Sequence, residues 1–69
     1  MSTPSVALSE RDVLLLERLS YGYTDGRIGE EIKLSPETVR AQVRQVVRAL
    51  GARNRTHAVA IALHTGLIQ

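Results

Sequence analysis

The stretch Ile32-Lys33-Leu34-Ser35-Pro36 constrains this chain more than any other. Proline lacks a backbone N–H and has a fixed φ, so it breaks a helix interior but suits the first helical position. A serine just before it can accept a hydrogen bond from the free N–H groups of that first turn. Ser35-Pro36 therefore starts a helix, and the residues upstream of Lys33 form another. Two helices joined by about three residues, the second opening with Ser-Pro, have the layout of a helix-turn-helix.

The rest of the chain repeats the same chemistry of starts and stops. A first helix is expected over about 10–21, with Ser9 as N-cap, Asp12 completing an acidic capping box and Leu8 stapled to Val13. Leu15, Leu16 and Leu19 form its inward stripe, and Gly22 is placed for the left-handed residue that ends a helix. The second helix spans about 25–32, capped by Thr24, with Tyr23 and Ile28 as its staple. Gly26 and Gly29 each cost a helix interior ~1 kcal/mol against Ala. Gly29, next to Ile28, reads as a place where a neighbouring helix comes close; Gly26 is merely tolerated near the first turn.

The third helix is expected over about 36–50, with Leu34 stapled to Val39 and Gly51 as its stop. Val39, Val43, Val46 and Leu50 recur in steps of four, three and four, giving one apolar face. The fourth spans about 55–65, capped by Asn54 and ended by Gly66. Ala58, Ile61 and Ala62 are expected inward, with Val59, Ala60 and Leu63 on an apolar outer patch. No run alternates with period two, so the expected fold is all-α with four helices, preceded by a flexible tail over residues 1–7.

Length and composition exclude several classes. Sixty-nine residues make one domain. There is no cysteine, hence no disulfide, thiolate metal site or cysteine nucleophile. No apolar run approaches the ~20 residues that span a bilayer, and the N-terminus has no signal-peptide pattern. A reducing cytoplasm is the expected setting. His57 and His64 share a face of the fourth helix, but two further metal ligands at suitable range are missing, so surface histidines are expected. Nothing in the pattern calls for a cofactor or for catalytic residues.

Charge is where function shows. Residues 1–34 carry four basic groups against six acids, whereas residues 35–69 carry five arginines against Glu37 alone. Such a split suggests one face for a polyanion. Arg40, Arg44 and Arg48 form a slightly drifting cationic stripe along about 12 Å of the third helix. The major groove is ~12 Å wide, and guanidinium pairs bidentately with guanine O6 and N7. Helix-turn-helix proteins set the N-terminal half of the second helix of the motif against base edges. That assigns base contacts to Arg40 and Arg44, with Ala41 against a thymine methyl and Gln42 as a polar partner. Arg48, Arg53 and Arg55 are expected at phosphates, as are the hydroxyls of Ser35 and Thr38 at the helix start. Glu37 either accepts from cytosine N4 or favours the helix N-terminus through the dipole, and the dipole reading is preferred.

Leu8 to Ile68 resembles the LuxR/GerE-type helix-turn-helix domain of bacterial regulators. The matching residues are Leu8-Ser9-x-Arg11-Asp12, Leu15-Leu16, Gly22-x-Thr24, Ile28-Gly29, Leu34-Ser35, Thr38-Val39-Arg40 and Val43. They continue through Leu50-Gly51-Ala52-Arg53-Asn54-Arg55-Thr56, Ala58-Val59-Ala60 and Gly66-Leu67-Ile68. The resemblance implies a third helix in the major groove of double-stranded DNA, base contacts from Arg40, Ala41 and Arg44, and a homodimer through the fourth helix at Val59, Ala60 and Leu63. These residues contain no receiver or ligand-binding domain, so regulation is expected from a regulatory domain in further sequence, from a regulatory protein partner, or from expression level. Three departures stand out: Gly26 replaces a usual lysine or polar residue, Lys33 a usual Gly or Asn, and Val13-Leu14 usual charged residues. Lys33 then carries some left-handed strain, and Val13-Leu14 leaves an apolar spot on the first helix. Two other readings are a protein-interaction module that kept the fold, and a promoter-binding sigma-factor region 4-like domain; the Arg-Asn-Arg-Thr stretch and the fourth helix argue against the second.

Overall fold

A computed structural model describes residues 8–69. The expected tail over residues 1–7 lies outside the described residues. Four helices follow in order: α1 (Glu10–Ser20), α2 (Asp25–Ile32), α3 (Pro36–Ala49) and α4 (Arg55–His64), with no strand among the described residues. Tyr21, Leu50 and Thr65, expected as last helical residues, instead stand just outside as C-caps. Each keeps helical φ and ψ, so the difference is one residue of fraying.

Every start is made by the expected side chain. Ser9 Oγ accepts from the Asp12 N–H at 3.1 Å while Asp12 accepts from the Ser9 N–H at 3.1 Å, closing the capping box. Thr24, Ser35 and Asn54 accept from the N–H groups of Arg27, Thr38 and His57, three residues on in each case. The stops are equally local. Gly22, Gly51 and Gly66 take φ of +84°, +66° and +80°. After α1 and α3 the chain closes as a Schellman motif: Tyr23 N–H reaches Arg18 O at 3.2 Å and Ala52 N–H reaches Val47 O at 2.9 Å.

The α2–α3 turn has no glycine at its left-handed position. Lys33 occupies it, with φ 63° and ψ 45°, and both its N–H and that of Leu34 are turned back to Gly29 O. The expected strain is therefore present. Gly29 is needed, though for a different close approach than the one expected: a Cβ there would collide with the Leu34 carbonyl, in the backbone of the turn itself, and meet Val39 Cγ2 at 3.5 Å. At Gly26 a Cβ would meet only Thr24 Oγ1, at 3.9 Å.

The core has two parts. Leu15, Ile28, Val39 and Val43 pack α1, α2 and α3 together, with Leu19, Tyr23, Ile32 and Leu34 around them. Leu16, Val46, Ala58, Ala62 and Ile68 join α1, α3 and α4, with Leu8, Val13, Leu50 and Val59 against them. All three staple pairs thus sit in the core. Burying a residue such as Leu15 or Ile28 contributes roughly 1.5–3 kcal/mol. On α4 the inward face differs from expectation: Val59 is half-buried against the core, while Ile61 is half-buried without belonging to either cluster. Ala58 and Ala62 are buried as expected, and Leu63 is 46% exposed.

Candidate nucleic-acid interface

With Val39, Val43 and Val46 buried, the 3.6-residue period turns the other side of α3 to solvent. Glu37, Arg40, Arg44, Gln45 and Arg48 are exposed there, and Ala41 is half-exposed among them. Each four-residue step rotates about 40°, so Arg40 lies about 80° from Arg48. Arg44 and Arg48 point away from the core, whereas Arg40 lies on a flank. Across Val43 and Val47, a concavity of about 310 Å³ separates α3 from the start of α4, walled by Arg44, Arg48, Arg53 and Arg55.

Intramolecular partners sort these cations. In the N-terminal half, Arg18 pairs with Glu31 at 2.8 Å and Glu17 at 3.0 Å, and its pKa is pushed further up by the Glu31 hydrogen bond. Arg27 lies over the Tyr23 ring, 3.9 Å from its centroid. Among the described residues, Arg44, Arg48 and Arg53 form no ion pair. Arg40 and Arg55 differ: both reach Asp25. Arg55 grips it through Nη1 and Nη2 at 2.7 and 3.2 Å, one on each carboxylate oxygen, while Arg40 Nε stands 3.4 Å from Oδ2. Hydrogen bonds from Arg55, helped by the Arg40 charge, hold the Asp25 carboxyl below its ordinary pKa despite partial burial.

The remaining expected site residues are placed as follows. Ser35 Oγ and Thr38 Oγ1 are 2.9 Å apart at the exposed start of α3, and Ser35 Oγ also accepts from the Thr38 N–H. One hydroxyl hydrogen serves the pair, leaving the other for an outside acceptor. Gln42 is half-buried, and its Oε1 is buried without a hydrogen-bond partner among the described residues. It stands about 120° round the helix from Arg48, nearer the core than the exposed face. Arg53 is exposed, and its backbone N–H donates to His57 Nδ1 at 3.0 Å.

Two features escape the reading of the sequence. Gln45 is exposed on the α3 face one turn after Ala41. His57 is solvent-exposed as expected, but its Nδ1 also accepts from the Arg53 N–H and so ties down the chain just before the α4 N-cap, a contact one residue out of the capping-box register. On the far side, Leu8, Val13 and Leu14 line a shallow apolar groove flanked by Glu10 and Glu17, which is the expected apolar spot. No helix of the described residues is long and apolar enough to cross a membrane.

Known proteins share this pattern. Residues 6–62 match the family model for bacterial regulatory proteins of the luxR family. The chain is 30% identical over 61 residues to the uncharacterized transcriptional regulatory protein YxjL of Bacillus subtilis, covering 88% of this chain and 28% of that protein. To the transcriptional regulatory protein YdfI of the same organism it is 31% identical over 61 residues, covering 88% of this chain and 29% of that protein. To the transcriptional activator protein BjaR1 of Bradyrhizobium diazoefficiens it is 35% identical over 65 residues, covering 94% and 27%. The chain thus spans under a third of the length of these relatives.

Proposed function

The chain belongs to the luxR family of bacterial regulatory proteins, and we propose that within it α3 is a recognition helix that enters the major groove of double-stranded DNA and reads sequence. The observation that carries this is that Arg44 and Arg48 are exposed on the helix that follows the turn and form no ion pair among the described residues. Arg44 takes the bidentate guanine contact, with Ala41 against a thymine methyl and Arg40 reaching a second base edge from the flank of the helix. Gln45, exposed beside Ala41, is better placed for a base than Gln42, whose amide is half-buried.

Ser35 or Thr38 supplies one O–H, with the free N–H groups of the α3 start, to a phosphate. Arg48 and Arg53 bind further phosphates around the α3–α4 concavity. Arg55 forms a wall of that concavity while anchored to Asp25. We place the chain in a transcription regulator of the cytoplasm that acts as a homodimer through α4, with Leu63, Ala60 and the outer edge of Val59 at the contact. Two copies then read paired half-sites. The relatives' greater length supports a further regulatory domain or partner.

Selection of duplexes from a random pool, followed by anisotropy titration over a salt series, tests the proposal. The expected result is an enriched motif bound with a Kd of about 10⁻⁸ M or weaker, with affinity falling steeply as salt rises. No enrichment, with no binding below about 10⁻⁴ M at low salt, favours the protein-interaction reading instead.

A further inference from the structure

Resting on the DNA-binding reading above, we infer that Asp25 is a positioning residue for a base-reading arginine: it holds Arg40 in the unbound protein and yields it only to a duplex whose base edges compete for the guanidinium.

Asp25 is the first residue of α2, and its carboxylate meets the second turn of α3 through Arg40 and the first turn of α4 through Arg55. Its side chain is only 12% exposed, beneath two arginines that are 50% and 40% exposed. The two contacts are unequal. Arg55 makes a two-point fork, the strong and geometrically specific form of this pairing. It also joins α2 to α4, which have little packing between them. Arg40 approaches through Nε alone, at 3.4 Å, on an oxygen that already serves Arg55. Both Nη groups of Arg40 are therefore left for an outside acceptor.

The consequence is a fixed arginine and a releasable one around a single charge. A phosphate approaching this corner meets two cations and one anion, so random duplex gains little by detaching Arg40. A base edge that accepts two N–H groups gains more, and Arg40 then changes partner while Arg55 stays. An exposed, loosely made ion pair is worth a factor of about two to five in an equilibrium. That factor sets the expected effect.

The test uses the duplex that the wild-type chain selects from a random pool, compared with a scrambled duplex of equal length. Asp25→Asn should raise the ratio of selected to scrambled affinity about two- to fivefold, because the selected complex no longer breaks the Arg40 ion pair, whereas the scrambled complex, which leaves that pair closed, gains little. In an Arg40→Gln background the same substitution should leave the ratio unchanged. An unaltered ratio in the first case, or an equal change in both backgrounds, overturns the positioning role while leaving DNA binding intact. Failure of the wild type to select any duplex overturns the DNA-binding reading itself. A second readout needs no variant: the Nε–Hε resonance of Arg40 should shift on the selected duplex and stay in place on the scrambled one, with that of Arg55 unmoved on both. Equal movement of the Arg40 resonance on both duplexes refutes the inference even if Asp25→Asn fails to fold.

Discussion

Replacing Lys33 by glycine should stabilise the protein. Lys33 holds φ 63° and ψ 45° at the end of α2, a left-handed conformation that costs a residue with a Cβ about 1–2 kcal/mol. Glycine removes that cost but gains freedom in the unfolded chain, which offsets about 0.5–1 kcal/mol. The net expectation is roughly 0.5–1 kcal/mol in favour of the variant. At this chain length that raises Tm by roughly 2–8 °C. Lys33 is exposed and makes no side-chain hydrogen bond or ion pair among the described residues, so little else is lost. Lys33→Ala serves as the control, because alanine bears the same backbone cost without the charge. Thermal melts followed by circular dichroism should order the three proteins with glycine highest and the other two close together. If glycine and alanine shift Tm equally, the strain argument is wrong and charge accounts for the change.

The other expected outcomes are shorter to state. Asn54→Ala should cost about 1 kcal/mol of stability, because the His57 N–H loses its 2.8 Å acceptor at the α4 start; Asn54→Ser should recover most of it, as equilibrium urea unfolding would show. Asp25 has a lowered folded pKa, so the unfolded chain binds its proton more readily, and its stabilisation is present above the ordinary carboxyl value of 3.8. That stabilisation is lost as pH falls through the lowered folded value. The stability gap between wild type and Asp25→Asn should therefore be constant near neutrality and narrow steadily as pH falls below about 4; a gap that does not narrow on acidification contradicts the ion pairing.

The helix boundaries were legible because they rest on chemistry within four residues. Ser9, Thr24, Ser35 and Asn54 each cap as their positions imply, and Gly22, Gly51 and Gly66 each turn left-handed. The left-handed Lys33 was expected on other grounds, from the resemblance, in which that position is usually Gly or Asn. The inward face of α4 was not legible. Ala58 to Leu63 are six apolar residues in a row, so no periodicity separates Val59 from Ile61, and packing against α1 and α3 decides. The Asp25 cluster was hidden too, because it joins residues 15 and 30 positions apart that only the crossing of three helices brings together. Gln42 shows a related limit: spacing puts it within reach of the outer face, yet the structure turns its amide oxygen into the protein.

The central claim is that the outward face of α3 reads bases, and Arg44→Ala tests it most directly. Its affinity for each single-base variant of the selected duplex, measured by anisotropy at fixed salt, should show a loss of about 1–3 kcal/mol on the parent duplex and relaxed discrimination at one base pair. If instead the variant binds parent and substituted duplexes as the wild type does, that face of α3 does not lie in the groove.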